Sequence, residues 1–221
     1  FSFFCNTKYM FMTEPGGYNS DEVESFVSNT IGEQQETDTI KPTGNEPNII
    51  CIMNESLADL RVLGDFETNK EYMPFMKSLK ENTIRGNLYV PVIGAGTSNT
   101  EFEFLTGHTT AFLPSGSNAY MLYVKDPTAS LNSTLKAQKY SSFALHPYYA
   151  SGWRRTKVYS NFGFNNFISL EDIIDVSLMQ EFQANGSDAN FLQSLIYENY
   201  PGSNMLVRQY VSDEYNYKLL I

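Results

Sequence analysis

The sequence predicts an α/β fold with a mainly parallel sheet, and three observations support this prediction. Continuous apolar runs rich in β-branched residues occur at 48–53 (NIICIM) and 87–93 (NLYVPVI), as is typical of strands buried on both faces. Segments with helical spacing lie between and after these runs, so strands and helices alternate along the chain. A hydrophobic fraction of 42% is sufficient to fill a core. In such folds the chemistry lies at the carboxyl ends of the strands.

The first predicted element is a short helix at 20–29 (SDEVESFVSN), because Ser20 can cap its first turn and two acidic residues follow. The stretch at 31–47 is polar, contains Pro and Gly, and has neither helical nor strand periodicity, which is typical of a linker. We therefore expect residues 1–46 to form a linker with a helical segment, and residues 47–221 to form the main domain.

Within the main domain, the predicted strands at 48–53 and 87–93 are apolar runs, and the predicted helices at 73–82 and 187–200 carry apolar residues at helical spacing. Pro74 suits the first turn of the first of these helices. The helix at 97–107 places Ser98 and Glu101 in the spacing of a capping box. The predicted strands are 48–53, 87–93 and 141–146, and the predicted helices are 73–82, 97–107, 127–139 and 187–200.

Composition and charge exclude several classes of function. The chain has 15 Lys and Arg against 25 Asp and Glu, a net charge of −10, and no basic run. Nucleic-acid phosphates and anionic membrane surfaces are bound by clustered basic residues, so we expect no nucleic-acid partner and no polybasic membrane module. The two cysteines, Cys5 and Cys51, are too few for a disulfide framework. Cys51 lies in an apolar run, and we expect it to be buried.

The chain opens with an apolar segment, FSFFCNTKYMFM, that has no initiator methionine. No apolar run reaches the roughly 20 residues of a membrane span, and no signal peptide is visible. We therefore expect the chain to be a piece of a larger protein.

The first candidate functional residue is Glu55, which directly follows the predicted strand at 48–53. A carboxylate at a strand end can ligate a hard divalent cation through oxygen. The alternative is that Glu55 lies in the first turn of a helix and interacts favourably with the helix dipole. Position alone favours this second interpretation.

The second candidate is Thr97, which follows the turn Gly94-Ala95-Gly96 and opens a predicted helix. Small residues let a phosphate or sulfate approach backbone N–H groups, and the helix N-terminus adds positive potential. The turn is neither a Walker loop nor a dinucleotide fingerprint. A tight turn whose hydroxyls cap the helix is the alternative. As a nucleophile, Thr97 needs activation, and a metal ion is the obvious means because no histidine lies nearby in sequence.

The third candidate group is His146, Trp153 and Arg155, after the predicted strand at 141–146. An arginine fork matches the geometry of phosphate, and an aromatic face beside it can cover a small polyol. Each residue also has an ordinary explanation: a satisfied histidine at a strand end, a core tryptophan, and an arginine on a solvated face. The three groups occur in order, each after a predicted strand, and together they favour a functional site.

Three blocks of the sequence, PNIICIMNES, GAGTSNTEFEFLTG and ALHPYYASGWRRTKVYSNFGFNNF, resemble consecutive blocks of the lipoteichoic acid synthase and phosphoglycerol transferase family. That family belongs to the sulfatase-like branch of the alkaline phosphatase superfamily. The resemblance covers about residues 47–200. It implies a three-layer αβα fold built around the mainly parallel sheet.

The resemblance also implies a reaction and a place for it. Members of this family are anchored in the cell membrane, with the catalytic domain outside the cytoplasm. They transfer glycerol phosphate from phosphatidylglycerol or a related lipid to a polymer or glycolipid of the cell envelope. The resemblance implies that Glu55 and Thr97 bind Mn²⁺ or Mg²⁺ and that Thr97 forms a glycerophospho-threonine intermediate. It further implies that His146, Trp153 and Arg155 bind the glycerol phosphate group.

The sequence departs from the family pattern at two places. Tyr148 stands where some relatives have an acidic residue, two positions after the pocket histidine. The family completes its metal site with an Asp-His pair far downstream, and the two histidines here, His108 and His146, do not form one. We therefore expect an incomplete catalytic domain, and we expect the 221-residue chain alone to be inactive.

Two other functions stay open on the sequence. One is hydrolysis by a phosphoesterase of the sulfatase superfamily, with water as the acceptor. The C/S-x-P-x-R block of sulfatases themselves does not surround Thr97. The other is an inactive remnant that binds anionic head groups without chemistry.

Overall fold

The computed structural model describes residues 16–33, 44, 46–55, 57–201, 204–207 and 210–220. Ten α-helices and four short β-strands lie within these ranges, together with 3-10 helices at Leu60–Leu63 and Gly152–Arg154. The α-helices are α1 (Ser20–Glu33), α2 (Pro74–Ser78), α3 (Thr97–Thr106), α4 (Ala119–Leu122), α5 (Leu131–Ala137), α6 (Arg155–Asn161), α7 (Leu170–Ile173), α8 (Val176–Ala184), α9 (Ala189–Asn199) and α10 (Asp213–Lys218). The strands are β1 (Phe143–Leu145), β2 (Asn166–Ile168), β3 (Leu206–Val207) and β4 (Tyr210–Val211).

One pair of strands shows the parallel pairing that the sequence predicts. β1 and β2 pair in parallel, with Phe143 opposite Asn166 and Leu145 opposite Ile168. The chain passes from β1 to β2 through a 3-10 helix and α6, so that the three elements form a βαβ unit. β3 and β4 form a separate antiparallel hairpin.

The buried apolar residues form two clusters. The first packs α3, α4 and α6 against β1, and it includes Tyr120 and Phe162, both fully buried. The second lies among α7, α8, α9 and the β3–β4 hairpin, and it includes Phe182 and Met205. Because α3 and α6 carry candidate functional residues, the first cluster supports the site described below.

The strands predicted at 48–53 and 87–93 are wrong. Both segments are fully described, and neither pairs with a strand among the residues that the structure describes. Their apolar side chains are largely exposed: Ile50 is 77% exposed and Tyr89 is 90% exposed. A strand needs a neighbour that exchanges backbone hydrogen bonds with it, and an apolar run does not show that such a neighbour is present. Cys51 lies in the first of these segments and is exposed, so its predicted burial is also wrong.

The helices predicted in the main domain are present, and several are shorter than predicted. α5 and α9 begin after Ser130 and Asp188, whose side chains accept hydrogen bonds from N–H groups of the first turn. Periodicity alone does not locate such caps, which is why the predicted helices begin earlier. On α9, Leu192, Leu195 and Ile196 are buried in the second cluster, and Phe191 packs against it.

The predicted N-terminal helix is also confirmed, but its bounds differ. α1 begins at Ser20 and extends to Glu33, so the first residues of the predicted linker are helical. Asn19 provides the capping oxygen in place of Ser20: its Oδ1 accepts a hydrogen bond of 2.9 Å from the N–H of Asp21. Residues 34–43 and 45 of the predicted linker lie outside the described residues.

Candidate active site

A left-handed glycine turn places Thr97 at the first residue of α3. Gly94, Ala95 and Gly96 have φ angles of 61°, 58° and 86°, a region that glycine adopts at little cost. Gly96 is the N-cap residue, and because it has no side chain it forms no side-chain cap of α3. A Cβ atom on Gly96 would lie 2.9 Å from Cγ1 of Val92, so the turn also has no room for a larger residue there. The tight turn predicted from the sequence is confirmed, and the predicted capping of the helix by its hydroxyls is not.

The side chains of Ser98 and Glu101 do not form the predicted capping box. Ser98 is fully buried, and its hydroxyl accepts a hydrogen bond of 2.7 Å from Nδ2 of Asn118. Glu101 is also buried and binds other residues, described below. Both side chains find partners elsewhere in the fold, and these tertiary contacts replace the local cap.

Glu55 and Thr97 are in contact, although 42 residues separate them in the sequence. The Thr97 hydroxyl donates a hydrogen bond to Oε2 of Glu55. Oγ1 of Thr100 donates to the other carboxylate oxygen, Oε1, at 3.0 Å. Residues three apart on a helix are neighbours on its surface, so both threonines meet Glu55 from the same face of α3. The structure thus brings together the two residues predicted to bind metal.

The Glu55–Thr97 pair suits a hard divalent cation but supplies only part of a coordination shell. Its donors are carboxylate and hydroxyl oxygens, which Mg²⁺ and Mn²⁺ prefer. In the part of the chain that the structure describes, no three His, Cys, Asp or Glu side chains are grouped to hold a metal. Substrate phosphate oxygens and water commonly complete such sites.

Arg155 forms a buried ion pair with Glu101. Its Nη2 lies 2.6 Å from Oε1 of Glu101, and its Nε lies 3.3 Å from Oε2. The hydroxyls of Tyr120 and Tyr159 donate to the same Oε2 at 3.0 Å and 2.8 Å. Arg155 is 4% exposed and Glu101 is 8% exposed, so the alternative of a solvated arginine is wrong. The predicted binding role of Arg155 stays a prediction.

Glu101 stays ionised in this cluster. Burial opposes its ionisation, but the hydrogen bonds and charge of Arg155, with the two tyrosine hydroxyls, hold the pKa of Glu101 below its ordinary value. Burial and the nearby carboxylate raise the pKa of Tyr120 and of Tyr159, so both hydroxyls stay protonated and act as donors. The cluster therefore holds one carboxylate and one guanidinium in a fixed arrangement.

Trp153 and His146 lie beside this ion pair. Cζ of Arg155 is 5.5 Å from the centre of the Trp153 ring, which is within cation–π range. Burial, followed by the charge of Arg155, lowers the pKa of His146 to about 4, so His146 is neutral at pH 7. Trp153 and Arg154 have φ angles of 54° and 57°, an uncommon conformation for bulky residues that persists only where the surroundings impose it.

α3 joins the two groups of predicted residues. Thr97 and Glu101 are four residues apart on this helix, so their side chains project from the same face, about 5–6 Å apart at Cβ. Thr97 contacts Glu55, and Glu101 contacts Arg155. The candidate metal ligand, nucleophile and anion-binding residues are thus connected through one turn of one helix.

Sequence analysis missed three residues of the site, Glu101, Tyr120 and Tyr159. The spacing of four between Thr97 and Glu101 is the signal that could have placed the carboxylate on the same helical face as the nucleophile. The tyrosines carry no comparable signal, because aromatic residues in helices are equally typical of an ordinary core.

Comparison with known proteins identifies the family. The family model for sulfatases matches residues 47–218, which is most of the chain. The chain belongs to the sulfatase family. The sulfatase-like resemblance and the α/β fold class predicted from the sequence are therefore confirmed. Members of the superfamily generally use divalent metals, in keeping with the oxygen donors of Glu55 and Thr97.

A relative of this sulfatase-family chain comes from Rhizobium meliloti (strain 1021) and is provisionally named a cyclic beta-1,2-glucan modification protein. The two are 31% identical over 199 residues, which are 88% of this chain and 28% of the relative. The chain therefore spans less than a third of that relative's length.

Among solved structures, the lipoteichoic acid synthase LtaP from Listeria monocytogenes is similar over 39% of this sulfatase-family chain and 21% of its own length. The sequences are 20% identical, and the TM-score is 0.36. No helix within the described ranges is both long and apolar enough to cross a membrane.

Proposed function

We propose that this sulfatase-family chain carries the nucleophile of a metal-dependent transferase that moves glycerol phosphate from a phosphatidylglycerol-type lipid to a polymer or glycolipid of the cell envelope. One observation carries the proposal: the hydroxyl of Thr97, at the start of α3, donates a hydrogen bond to the carboxylate of Glu55. An oriented hydroxyl with an adjacent activating group is the requirement of covalent catalysis.

In the first half-reaction, the Thr97 oxygen bonds to phosphorus and the bond from phosphorus to the diacylglycerol oxygen breaks. The proton that Thr97 loses balances the proton that diacylglycerol gains. Glu55 orients the hydroxyl by accepting its hydrogen bond, and Thr100 fixes the other oxygen of the same carboxylate. A divalent metal held by Glu55 and Thr97 would supply positive charge that lowers the pKa of the hydroxyl and neutralises the phosphoryl oxygens.

In the second half-reaction, a hydroxyl of the acceptor attacks the same phosphorus and Thr97 leaves, which regenerates the free side chain. Splitting the reaction in this way lets donor lipid and acceptor bind in turn. The proton lost by the acceptor hydroxyl balances the one that Thr97 regains. The overall result is one phosphodiester bond broken and one formed.

Arg155 and His146 provide the contacts to the transferred group in this proposal. Glu101 and the carbonyl oxygen of Gly152 take three of the five guanidinium N–H groups of Arg155. In the proposal, the other two N–H groups donate to a phosphoryl oxygen of the substrate. His146 is neutral at pH 7, so its ring has one N–H donor and one acceptor nitrogen for the phosphate or glycerol hydroxyls. The Trp153 ring can cover the glycerol carbons.

The proposal also includes an acceptor and a cellular location. The relative from Rhizobium meliloti bears a name that refers to a modified cyclic glucan, and we extend a carbohydrate acceptor to this chain. Both the lipid donor and such an envelope acceptor lie at the membrane. We therefore propose a membrane-associated protein whose sulfatase domain works outside the cytoplasm.

The test is product analysis with the protein as its gene encodes it, in the presence of Mn²⁺. Phosphatidylglycerol labelled in its head group is supplied with and without a cyclic β-1,2-glucan. Label on the glucan, lost in Thr97→Ala and reduced far less in Thr100→Val, is the expected result. Thr100→Val is the matched control because Thr100 contacts the same carboxylate. Release of free glycerol phosphate at the same rate with and without glucan would show a phosphoesterase instead, and a fully active Thr97→Ala would remove the proposed nucleophile.

A further inference from the structure

Glu101 accepts more hydrogen bonds than a side chain that only stabilises a helix requires. Its carboxylate accepts four hydrogen bonds, two from Arg155 and one each from Tyr120 and Tyr159. These donors come from two helices, since Tyr120 lies on α4 and both Arg155 and Tyr159 lie on α6. Glu101 is thus the point at which the elements around the candidate site are held together.

Stability alone is a weak reason for this arrangement. A buried ion pair loses much of its attraction to the cost of removing both charges from water, and well-packed apolar residues often stabilise a fold as well or better. What a carboxylate provides, and an apolar residue does not, is a fixed direction for the guanidinium plane. Nη2 and Nε of Arg155 both face Glu101, so the opposite edge of the guanidinium is turned away from it.

The position of Glu101 on α3 relates the orientation of the Arg155 guanidinium to the proposed nucleophile, Thr97. It lies one helical turn after Thr97, on the same face of α3. The helix backbone is rigid over one turn, so fixing Arg155 on Glu101 also fixes Arg155 relative to the Thr97 hydroxyl. Misplacement of a binding group by about 1 Å can change a rate by two orders of magnitude.

We propose that Glu101 is a positioning residue, which holds the Arg155 guanidinium at a set distance from Thr97 so that it binds the phosphoryl group of a glycerophosphate ester. This inference rests on the proposed function and adds a residue to it. The tyrosine hydroxyls take part by occupying Oε2, which keeps the carboxylate from rotating. His146 interacts with the charges of the same ion pair: Arg155 lowers the pKa of His146, and Glu101 raises it.

The experiment compares Glu101→Gln with Glu103→Gln in the protein as its gene encodes it. Glu103 is the matched control because it lies on the same helix, where its carboxylate accepts hydrogen bonds from Thr110 N–H at 2.5 Å and Thr110 Oγ1 at 2.8 Å. Both variants lose one charge and a tertiary contact of α3. We expect Glu101→Gln alone to lower kcat/KM for phosphatidylglycerol about 10- to 100-fold, and to weaken competitive inhibition by free glycerol phosphate by the same factor.

A double-mutant cycle separates positioning from a merely structural role. If Glu101 acts through Arg155, Glu101→Gln adds little to the loss already caused by Arg155→Lys. A structural role would lower the folded fraction and hence the apparent kcat, while KM and the inhibition constant stay at their wild-type values. Unchanged inhibition by glycerol phosphate in folded Glu101→Gln protein, or fully additive effects in the cycle, would overturn the proposal.

Two further measurements keep the test decisive. Should Glu101→Gln fail to fold, Tyr159→Phe removes one hydroxyl from Oε2 of Glu101 and keeps the charge of the carboxylate. We expect this variant to lose a smaller part of the affinity for glycerol phosphate. Wild-type affinity would count against a positioning role. Calorimetric binding of glycerol phosphate does not depend on turnover. If the wild-type protein binds glycerol phosphate but transfers none, the proposed function fails, and binding that Glu101→Gln weakens still supports the positioning role.

Discussion

At the residue scale, two side chains predicted from separate sequence blocks meet in the fold. Glu55 and Thr97 follow different segments of the chain, and their contact is a single hydrogen bond from the hydroxyl to the carboxylate. The sequence could predict both residues because each belongs to a recognisable block. It could not predict the partners of Glu101, because Arg155 and Tyr159 lie 54 and 58 residues away along the chain. Such partners are set by tertiary packing, which local spacing does not report.

The metal prediction is tested at Glu55. We expect Glu55→Gln to raise the Mn²⁺ concentration needed for half-maximal transfer at least about 10-fold, because an amide keeps the shape of the side chain and removes its charge. Thr100→Val is the control: it removes the 3.0 Å hydrogen bond to Oε1 and leaves the carboxylate in place, so it should have a smaller effect. Metal titration of activity measures both. A Glu55→Gln protein that responds to Mn²⁺ like the wild type would contradict the assignment of Glu55.

His146 should make stability depend on pH. Burial first, and then the charge of Arg155, lower the pKa of His146 to about 4 from an unfolded value near 6.5. Between these values the unfolded chain binds more protons than the folded one, so stability falls as the pH drops from about 6.5 to 4. At pH 5 the loss relative to pH 7 is about 2 kcal/mol.

Urea unfolding of the wild type and of His146→Gln at pH 7 and pH 5 measures this contribution. Carboxylates also titrate near the acid end of the range, and they contribute equally to both proteins. The wild type should lose more free energy of unfolding between the two pH values than the variant does. Equal losses would show that His146 is not buried in its neutral form.

At the element scale, the glycine turn and α3 together position the residues of the candidate site. The sequence predicted the turn and the helix correctly, because glycine spacing and helical periodicity are local signals. It failed for the strands at 48–53 and 87–93, where Ile50 and Tyr89 are largely exposed. Whether an apolar run becomes a strand depends on a partner strand, and the run alone does not indicate whether that partner is present. The parallel pairing of β1 with β2 needed the same non-local information, and there the neighbour is present.

Gly96 is the position at which this element is most sensitive to substitution. Gly96→Ala requires a left-handed alanine, which costs about 1–2 kcal/mol, and it also places a Cβ 2.9 Å from Cγ1 of Val92. Gly94→Ala is the matched control, since Gly94 has φ 61° but no atom within 4 Å of the added Cβ. We expect Gly96→Ala to destabilise the protein more than Gly94→Ala does, and to lower transfer activity because the start of α3 must shift.

Urea unfolding and the transfer assay measure the two effects. Val92→Ala should restore part of the stability lost in Gly96→Ala, because it removes the Cγ1 atom that the new Cβ meets. Equal stabilities for Gly94→Ala and Gly96→Ala would mean that the close approach to Val92 does not constrain the turn.

At the scale of the whole molecule, the family match and the net charge are both compatible with the proposed function. The sulfatase-family match covers residues 47–218, and the chain spans 28% of the length of its relative from Rhizobium meliloti. A net charge of −10 does not prevent an anionic substrate from binding, because the metal and the arginine of the proposed site would act locally. The charge remains inconsistent with binding to nucleic acid, which requires an extended basic surface.

In the proposed reaction, Thr97 carries the glycerol phosphate group between donor and acceptor. The most direct measurement is mass spectrometry of the protein, as its gene encodes it, after brief incubation with phosphatidylglycerol and Mn²⁺, without acceptor, and quenching in acid. We expect a mass increase equal to one glycerol phosphate group on the peptide that contains Thr97, and no such increase in Thr97→Ala. Diacylglycerol release with Thr97 unmodified, or the same modification on another residue, would contradict it.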